Sequence, residues 1–245
     1  MKRRSGILLF SSLAFLVTAS LPASPQTEAA AAVDAALRPL ADQTVAAESA
    51  VSADGLRVAN FARLKRDQLA GMRERVAAAR AAQQALRAAL RDTGAAYAKE
   101  LTARGVPEAL AAKDAKLYAA DRNTLNELLT RLGAQEDIMF GATLDLLDLA
   151  QKEFGQWFAT AAPRLKPGAP APALPYGFKF KNPGAANRYR ELIEQAQAAA
   201  TEHAALVTEL DAGVQEGSFK TGGLSTGDLT SAIVLSLDGE TPLRK

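Results

Sequence analysis

The sequence contains no cysteine and a single histidine, and these absences exclude several kinds of chemistry. Without cysteine the chain forms no disulfide, offers no thiolate to a metal and carries no acylated cysteine for a lipoprotein anchor. His203 by itself lacks the second nitrogen or thiolate ligand of a zinc site. Glycine-rich phosphate loops of the P-loop or dinucleotide type are also missing. We therefore expect no metal and no cofactor.

Long apolar runs are missing after the amino-terminal region. Residues 2–4 are basic, residues 7–17 are apolar and small residues follow, which is the pattern of a secretory signal peptide. We expect residues 1–23 to be this signal peptide, with cleavage after Ala23 or, as an alternative, Ala19. An uncleaved membrane anchor is the competing interpretation. The sequence thus predicts an exported protein, located in the periplasm, with no transmembrane segment once the signal is removed.

Net charge is small. The chain has 29 basic and 27 acidic residues, and loss of the three basic residues of the signal peptide changes the formal net charge from +2 to −1. A nucleic-acid partner would need an uncovered basic face, so nucleic acid is not expected.

Strong helix formers dominate residues 56–92, which contain no proline and are predicted to form one long helix. Its apolar residues alternate at spacings of three and four, which indicates a coiled-coil-like seam interrupted by Gln83. The seam comprises Leu69, Met72, Val76, Ala79, Leu86 and Leu90.

Four arginines recur every seven residues beside this seam: Arg66, Arg73, Arg80 and Arg87, called here the arginine ladder. One interpretation is a solvated or ion-paired bundle face, because the helix predicted at 134–162 is acidic. The other is a binding site for an anionic partner, such as a lipid head group, a polyanionic glycan or an acidic protein.

Further helices are predicted at 27–52, with a kink or break at Pro39, and from Pro107 toward Gly133. The helix at 134–162 carries four large aromatic residues, Phe140, Phe154, Trp157 and Phe158. These aromatic rings form part of the core or, alternatively, line an apolar pocket.

The fold class expected is mainly α, an elongated antiparallel helical bundle or coiled coil at 24–162. A proline-rich crossover follows at 163–184, and a helix at 185–214 packs back on the bundle. Residues 215–245 are expected to be a flexible tail. Segments 177–181 and 232–237 could add a small two-stranded β element, although 232–237 could equally be a short helix or disordered.

Three segments resemble catalytic motifs, and none is supported by its context. Residues 223–227 fit a hydrolase nucleophile elbow around Ser225, but a buried strand before the serine and a later histidine are missing. Residues 92–94 spell the aspartic-protease triplet once, at the end of a helix. His203, near Glu202 and Glu209, is expected to be a half-buried, hydrogen-bonded helix residue. We therefore expect a protein that is not an enzyme.

Residues 177–193 resemble the YiaF-like envelope proteins. The shared residues are Gly177, Phe180, Ala186, Tyr189, Leu192 and Ile193. The resemblance implies an exported, mostly helical protein and brings no established activity. Members of that family resemble lipoproteins with an acylated cysteine, which this chain lacks.

Two functions remain open at this point. The first is a non-catalytic periplasmic interaction protein, a scaffold, adaptor or chaperone-like holder that binds another envelope protein or itself through helix faces. The second is a helical bundle that holds a lipid or other amphiphilic ligand. A structure that gathered His203 with acidic or hydroxyl side chains in a deep shielded cleft would argue against both.

Overall fold

Helices make up most of the chain in the computed structural model, which describes residues 23–53, 65–159 and 178–231. The helices are α1 (Pro25–Ala53), α2 (Arg66–Arg91), α3 (Thr93–Ala103), α4 (Glu108–Ala120), α5 (Asn123–Lys152), α6 (Pro183–Gln215) and the short α7 (Thr226–Leu229). Two short strands are β1 (Trp157–Ala159) and β2 (Phe178–Phe180). The protein is a mainly α-helical bundle, which confirms this part of the predicted fold class, while the coiled coil stays a prediction.

Neighbouring long helices run antiparallel. Along α2, Arg73 pairs with Asp148 near the end of α5, whereas Arg87 pairs with Glu136 nearer its start. The same opposed order holds between α5 and α6, through the pairs Arg131–Glu209, Glu136–His203 and Asp145–Arg188. The helix expected at 185–214 therefore packs back on the bundle, as α6.

The seam predicted on the long helix is the buried face of α2. Its six apolar residues are buried, and Gln83 and Arg87 are buried with them. The six apolar side chains pack into two of the three apolar clusters that the described residues form. Residues 54–64, the first part of the predicted helix 56–92, lie outside the described residues.

Pro39 does not split the first helix, so of the two outcomes predicted there, a kink or a break, the break is wrong. Helix α1 runs through it, and both Pro39 and Ala35, whose carbonyl loses its amide partner, are exposed. Water can therefore satisfy that carbonyl. Burial of Leu37 and Ala41 in the core on the opposite side favours the continuous helix.

The helix boundaries predicted at Gly133 and residue 162 are also wrong. Helix α5 passes through Gly133, since the cost of a helical glycine, about 1 kcal/mol relative to alanine, is small beside the burial of this long apolar face. It ends at Lys152, and Gly155 takes a positive φ of 81°. This left-handed turn sends the chain into β1.

Strand β2 pairs antiparallel with β1, with Trp157 opposite Phe180. The sequence analysis instead placed residues 157–159 in a helix and considered 232–237 as the partner strand. Residues 160–177 and 232–245 lie outside the described residues, so that second pairing stays a prediction.

Residues 217–231 pack on the bundle, although they were expected to belong to a flexible tail. Leu224 and Leu229 are 2 % and 0 % exposed in the core. Phe219 lies so close to Gly213 that a Cβ there would stand 2.1 Å from its ring. A segment rich in glycine, serine and threonine is thus held by a few apolar anchors.

None of the helices within the described ranges is long and apolar enough to cross a lipid bilayer.

Candidate functional site

The arginine ladder divides into exposed and buried members. Arg73 donates from Nε and Nη2 to Asp148 on α5, at 2.6 and 3.2 Å, and this hydrogen bond raises the pKa of Arg73. Arg80 Nε donates to Asp137 at 2.9 Å. Arg66 is exposed at the start of α2. The interpretation of the ladder as an ion-paired bundle face therefore fits Arg73 and Arg80.

Arg87 is different because it is 6 % exposed and belongs to a buried polar cluster. Its Nη2 donates to both carboxylate oxygens of Glu136, at 3.1 and 3.0 Å. Glu136, which is 2 % exposed, also accepts hydrogen bonds from Gln83 Nε2 (3.1 Å), His203 Nε2 (3.3 Å) and the backbone N–H of Ser231 (2.8 Å). We call these five residues the Glu136 network. It joins α2, α5, α6 and the segment after α7.

Two opposing effects set the pKa of Glu136. Burial raises it, whereas the Arg87 charge and the hydrogen bonds from His203, Ser231 and Gln83 lower it. The lowering effects are larger in sum, so the pKa of Glu136 lies below its ordinary value of 4.5. The carboxylate is therefore ionised at neutral pH.

A cavity of about 380 Å³ lies between α2 and α5, next to this network. Gln83, Arg87 and Glu136 form its polar wall, and Phe140 and Leu129 form its apolar wall. Exposed or half-buried Arg80, Arg91 and Asp137 also line it. We call it the polar cavity.

Three polar atoms of residues that line the cavity have no hydrogen-bond partner among the described residues, and these atoms are themselves closed off from solvent. They are Nε and Nη1 of Arg87, which are donors, and Oε1 of Gln83, which is an acceptor. Gly133 also lines the cavity, and a Cβ at this position would lie 4.0 Å from Arg87 Nε.

His203 lies on α6 and is hydrogen-bonded, as expected, but it is buried and not half-buried. It is 6 % exposed and contacts Glu136, while Glu209 pairs with Arg131. The contact of a buried His203 with an acidic side chain is one part of the arrangement that would argue for a catalytic protein. However, Glu136 already accepts from four groups and His203 does not line the cavity.

Ser225 is the N-cap of α7. Its hydroxyl accepts from the Asp228 N–H at 3.2 Å and Asp228 Oδ2 accepts from the Ser225 N–H at 2.8 Å, which forms a capping box at the start of α7. The hydroxyl also donates to Asp228 Oδ2 at 2.9 Å. Within the ranges that the structure describes, no group of three or more His, Cys, Asp or Glu side chains could hold a metal ion.

The four aromatic candidates do not form one pocket. Phe140 is buried in the core and borders the polar cavity. Phe154 is 42 % exposed, and Trp157 packs on its edge while donating from Nε1 to the Ala150 carbonyl at 2.9 Å. These two lie beyond the end of α5, because the chain leaves the helix there. The Phe158 side chain lies outside the described residues.

Sequence reasoning missed Glu136 as the centre of the site, although it had noted Gln83 as the polar residue in the seam. Glu136 was counted only among the acidic residues that make the helix at 134–162 a partner for the arginine ladder. Its position between Leu132 and Phe140, one helical turn from each, was the signal that it lies on the buried face.

Comparisons with models of protein families, with curated proteins and with solved structures gave no significant match. The YiaF-like resemblance of residues 177–193 therefore stays a prediction. Fold and site together define a mainly α-helical bundle with a buried ion pair beside a polar cavity.

Proposed function

We propose that this protein is a non-catalytic binding protein that holds a small polar ligand in the cavity between α2 and α5. One observation carries the proposal. Arg87 is buried and lines a cavity of about 380 Å³, and two of the three nitrogens of its guanidinium group have no partner among the described residues.

Energetics support this assignment. A buried donor or acceptor without a partner costs about 1–3 kcal/mol, and an apolar replacement of a buried ion pair is often no less stable. A partly satisfied polar network is therefore expected where a ligand completes it. The cavity volume falls within the range of about 300–1,000 Å³ that small-molecule sites show.

The ion pairs of α2 and the lining of the cavity bear on the two functions that the sequence left open, an interaction protein and a binder of an amphiphilic ligand. Arg73 and Arg80 are engaged with α5, so they are poorer candidates for an anionic partner than the ladder pattern indicated. Leu129 and Phe140 give the cavity one apolar wall, which supports an amphiphilic ligand with a polar end at Arg87.

Binding of another protein is a second candidate function, favoured by a different surface. Leu110 and Leu117 lie seven residues apart on α4 and are 54 % and 62 % exposed. They therefore share one helix face. If this face binds another envelope protein or a second copy, Leu110→Gln with Leu117→Gln should reduce self-association in light scattering or capture in a pull-down.

We also propose export to the periplasm, from the signal-peptide pattern of residues 1–23. Mass spectrometry of the protein from a periplasmic fraction should give a chain that starts after Ala23 or Ala19. A chain that retains Met1 and fractionates with membranes would support the anchor instead.

The ligand proposal can be tested without knowing the ligand. Protein purified from cells would be examined by native mass spectrometry and by amide NMR against a mixed library of small charged and neutral molecules. We expect a bound species, and amide shifts confined to 80–91 and 129–140. Absence of any bound species and of any shift in these two ranges would contradict the proposal.

A further inference from the structure

We propose that one end of the bundle docks on an anionic lipid bilayer. At this end α2 begins, α5 ends and β1 pairs with β2. These elements present five exposed basic residues that have no ion-pair partner among the described residues. We call them the basic end: Lys65, Arg66, Lys152, Lys179 and Lys181. The proposal goes beyond the ligand of the polar cavity and does not depend on it.

Contacts between the elements bring these residues together. Arg73 on α2 pairs with Asp148 near the end of α5, and the two helices run antiparallel. Arg66, seven residues earlier on α2, therefore lies beside the chain that leaves α5 at Lys152. The backbone N–H of Lys181 donates to the carbonyl of residue 156 at 2.8 Å, which holds β2 at the same end of the bundle. Basic residues of three parts of the chain thus meet at one surface.

Acidic residues do not balance this charge. The described residues of this end are 49–53, 65–68, 149–159 and 178–187. They contain five basic and two acidic side chains, a formal net charge of +3. One of the two acidic residues, Glu153, already accepts a hydrogen bond from Asn182 Nδ2 at 3.4 Å. Since the chain without its signal peptide has a net charge of −1, positive charge is concentrated here and complements an anionic surface.

Phe154 adds an apolar contact to the basic end. It follows Lys152 by two residues and is 42 % exposed, while Trp157 packs on one edge of its ring. At a bilayer surface an aromatic ring enters the boundary between head groups and acyl chains, and lysine side chains reach the lipid phosphates around it. A polyanionic glycan would use the charges and leave the ring in water. The exposed ring beside the lysines therefore favours a bilayer as the partner.

Flotation with lipid vesicles measures this binding. The exported full chain would be mixed with vesicles of phosphatidylcholine alone or with roughly 30 % phosphatidylglycerol. We expect at least about 10-fold tighter binding to the anionic vesicles, because each basic residue near an anionic surface contributes about 5-fold in affinity. This preference should disappear at about 1 M salt, where charges are screened beyond about 3 Å.

Two pairs of lysines locate the contact. Lys179→Gln with Lys181→Gln should weaken binding to the anionic vesicles by about 25-fold. Lys113→Gln with Lys116→Gln removes the same charge from exposed positions of α4, which packs on the start of α1 at the other end of the bundle. This control should bind like the unmodified protein. Thermal unfolding establishes that both double variants are folded.

A second pair of variants tests the apolar contact. Phe154→Gln should weaken binding to the anionic vesicles by about 5-fold, because the ring no longer leaves water. Leu117→Gln is the matched control, since Leu117 is 62 % exposed on α4, and it should leave vesicle binding unchanged.

Three results would overturn the proposal. They are equal affinity for neutral and anionic vesicles, equal binding by the two lysine double variants, and tighter binding of heparin or polyglutamate than of anionic vesicles with no effect of Phe154→Gln. The last would assign the basic end to a soluble polyanion. None of these results involves the polar cavity, whose ligand is tested separately by the amide shifts of 80–91 and 129–140.

Discussion

Arg80 and Arg87 stand one heptad apart on α2 and show how strongly the environment of a single residue decides its contribution. The Arg80 side chain is 34 % exposed and pairs with Asp137, which is 45 % exposed. The Arg87 side chain is 7 % exposed and pairs with Glu136, which is 2 % exposed. Water screens the first pair and is excluded from the second.

We therefore expect unequal costs of truncation. Arg80→Ala should lower the free energy of unfolding by less than about 1 kcal/mol, as exposed pairs do. Arg87→Ala should lower it by about 3–5 kcal/mol, because Glu136 would remain charged and buried without its counter-ion. Urea unfolding at pH 7, followed by circular dichroism, measures both. Equal costs would show that Arg87 is solvated, in contradiction to its burial.

At the scale of elements, the segment from Gly223 to Ser231 is attached by few contacts. Arg38 on α1 donates to Asp228 at 3.1 Å and to the Gly223 carbonyl at 3.0 Å. Burial raises the pKa of Asp228, whereas the hydrogen bonds from Ser225 and the contact with Arg38 lower it. The lowering effects are larger in sum, so the pKa lies below its ordinary value of 3.8. The ionised form of Asp228 thus favours the packed segment.

A carboxyl group with a lowered pKa stabilises the folded state above its ordinary pKa, and this contribution disappears as the pH falls through the folded value. We expect Asp228→Asn at pH 7 to speed amide hydrogen exchange in 224–231 by about 5-fold, equivalent to the loss of an N-cap contact of about 1 kcal/mol. Asp211→Asn, on α6 outside the segment, is the control. Unchanged exchange in 224–231 would mean that Leu224 and Leu229 alone hold the segment.

For the whole molecule, Glu136 is the point where three long helices and the carboxy-terminal segment meet. Its oxygens accept from Arg87 on α2, His203 on α6 and Ser231 after α7. Because the pKa of Glu136 is lowered in the folded state, its carboxyl group loses its proton at a lower pH there than in the unfolded chain. Global stability should therefore depend on its ionisation.

We expect the free energy of unfolding to keep the Glu136 contribution above about pH 5 and to lose it as the pH falls below the ordinary value of 4.5. Glu136→Gln should lower stability at pH 7 by about 3–5 kcal/mol, since Arg87 loses its counter-ion, and should flatten the decline toward pH 3. Urea unfolding at pH 7, 5, 4 and 3 tests this. An unchanged acid slope in the variant would exclude Glu136 as its source.

The helical class and the buried face of α2 were determined by the sequence, because helix propensity and apolar spacing act between residues three or four positions apart. The attachment of Leu224 and Leu229, the continuity of α1 through Pro39 and the end of α5 at Lys152 were decided by tertiary packing. The same holds for the site. The spacing of the arginine ladder and the polar Gln83 were visible in the sequence. Whether an arginine faces solvent or Glu136 depends on residues about 50 positions away along the chain. Only the folded bundle brings these residues within hydrogen-bond distance.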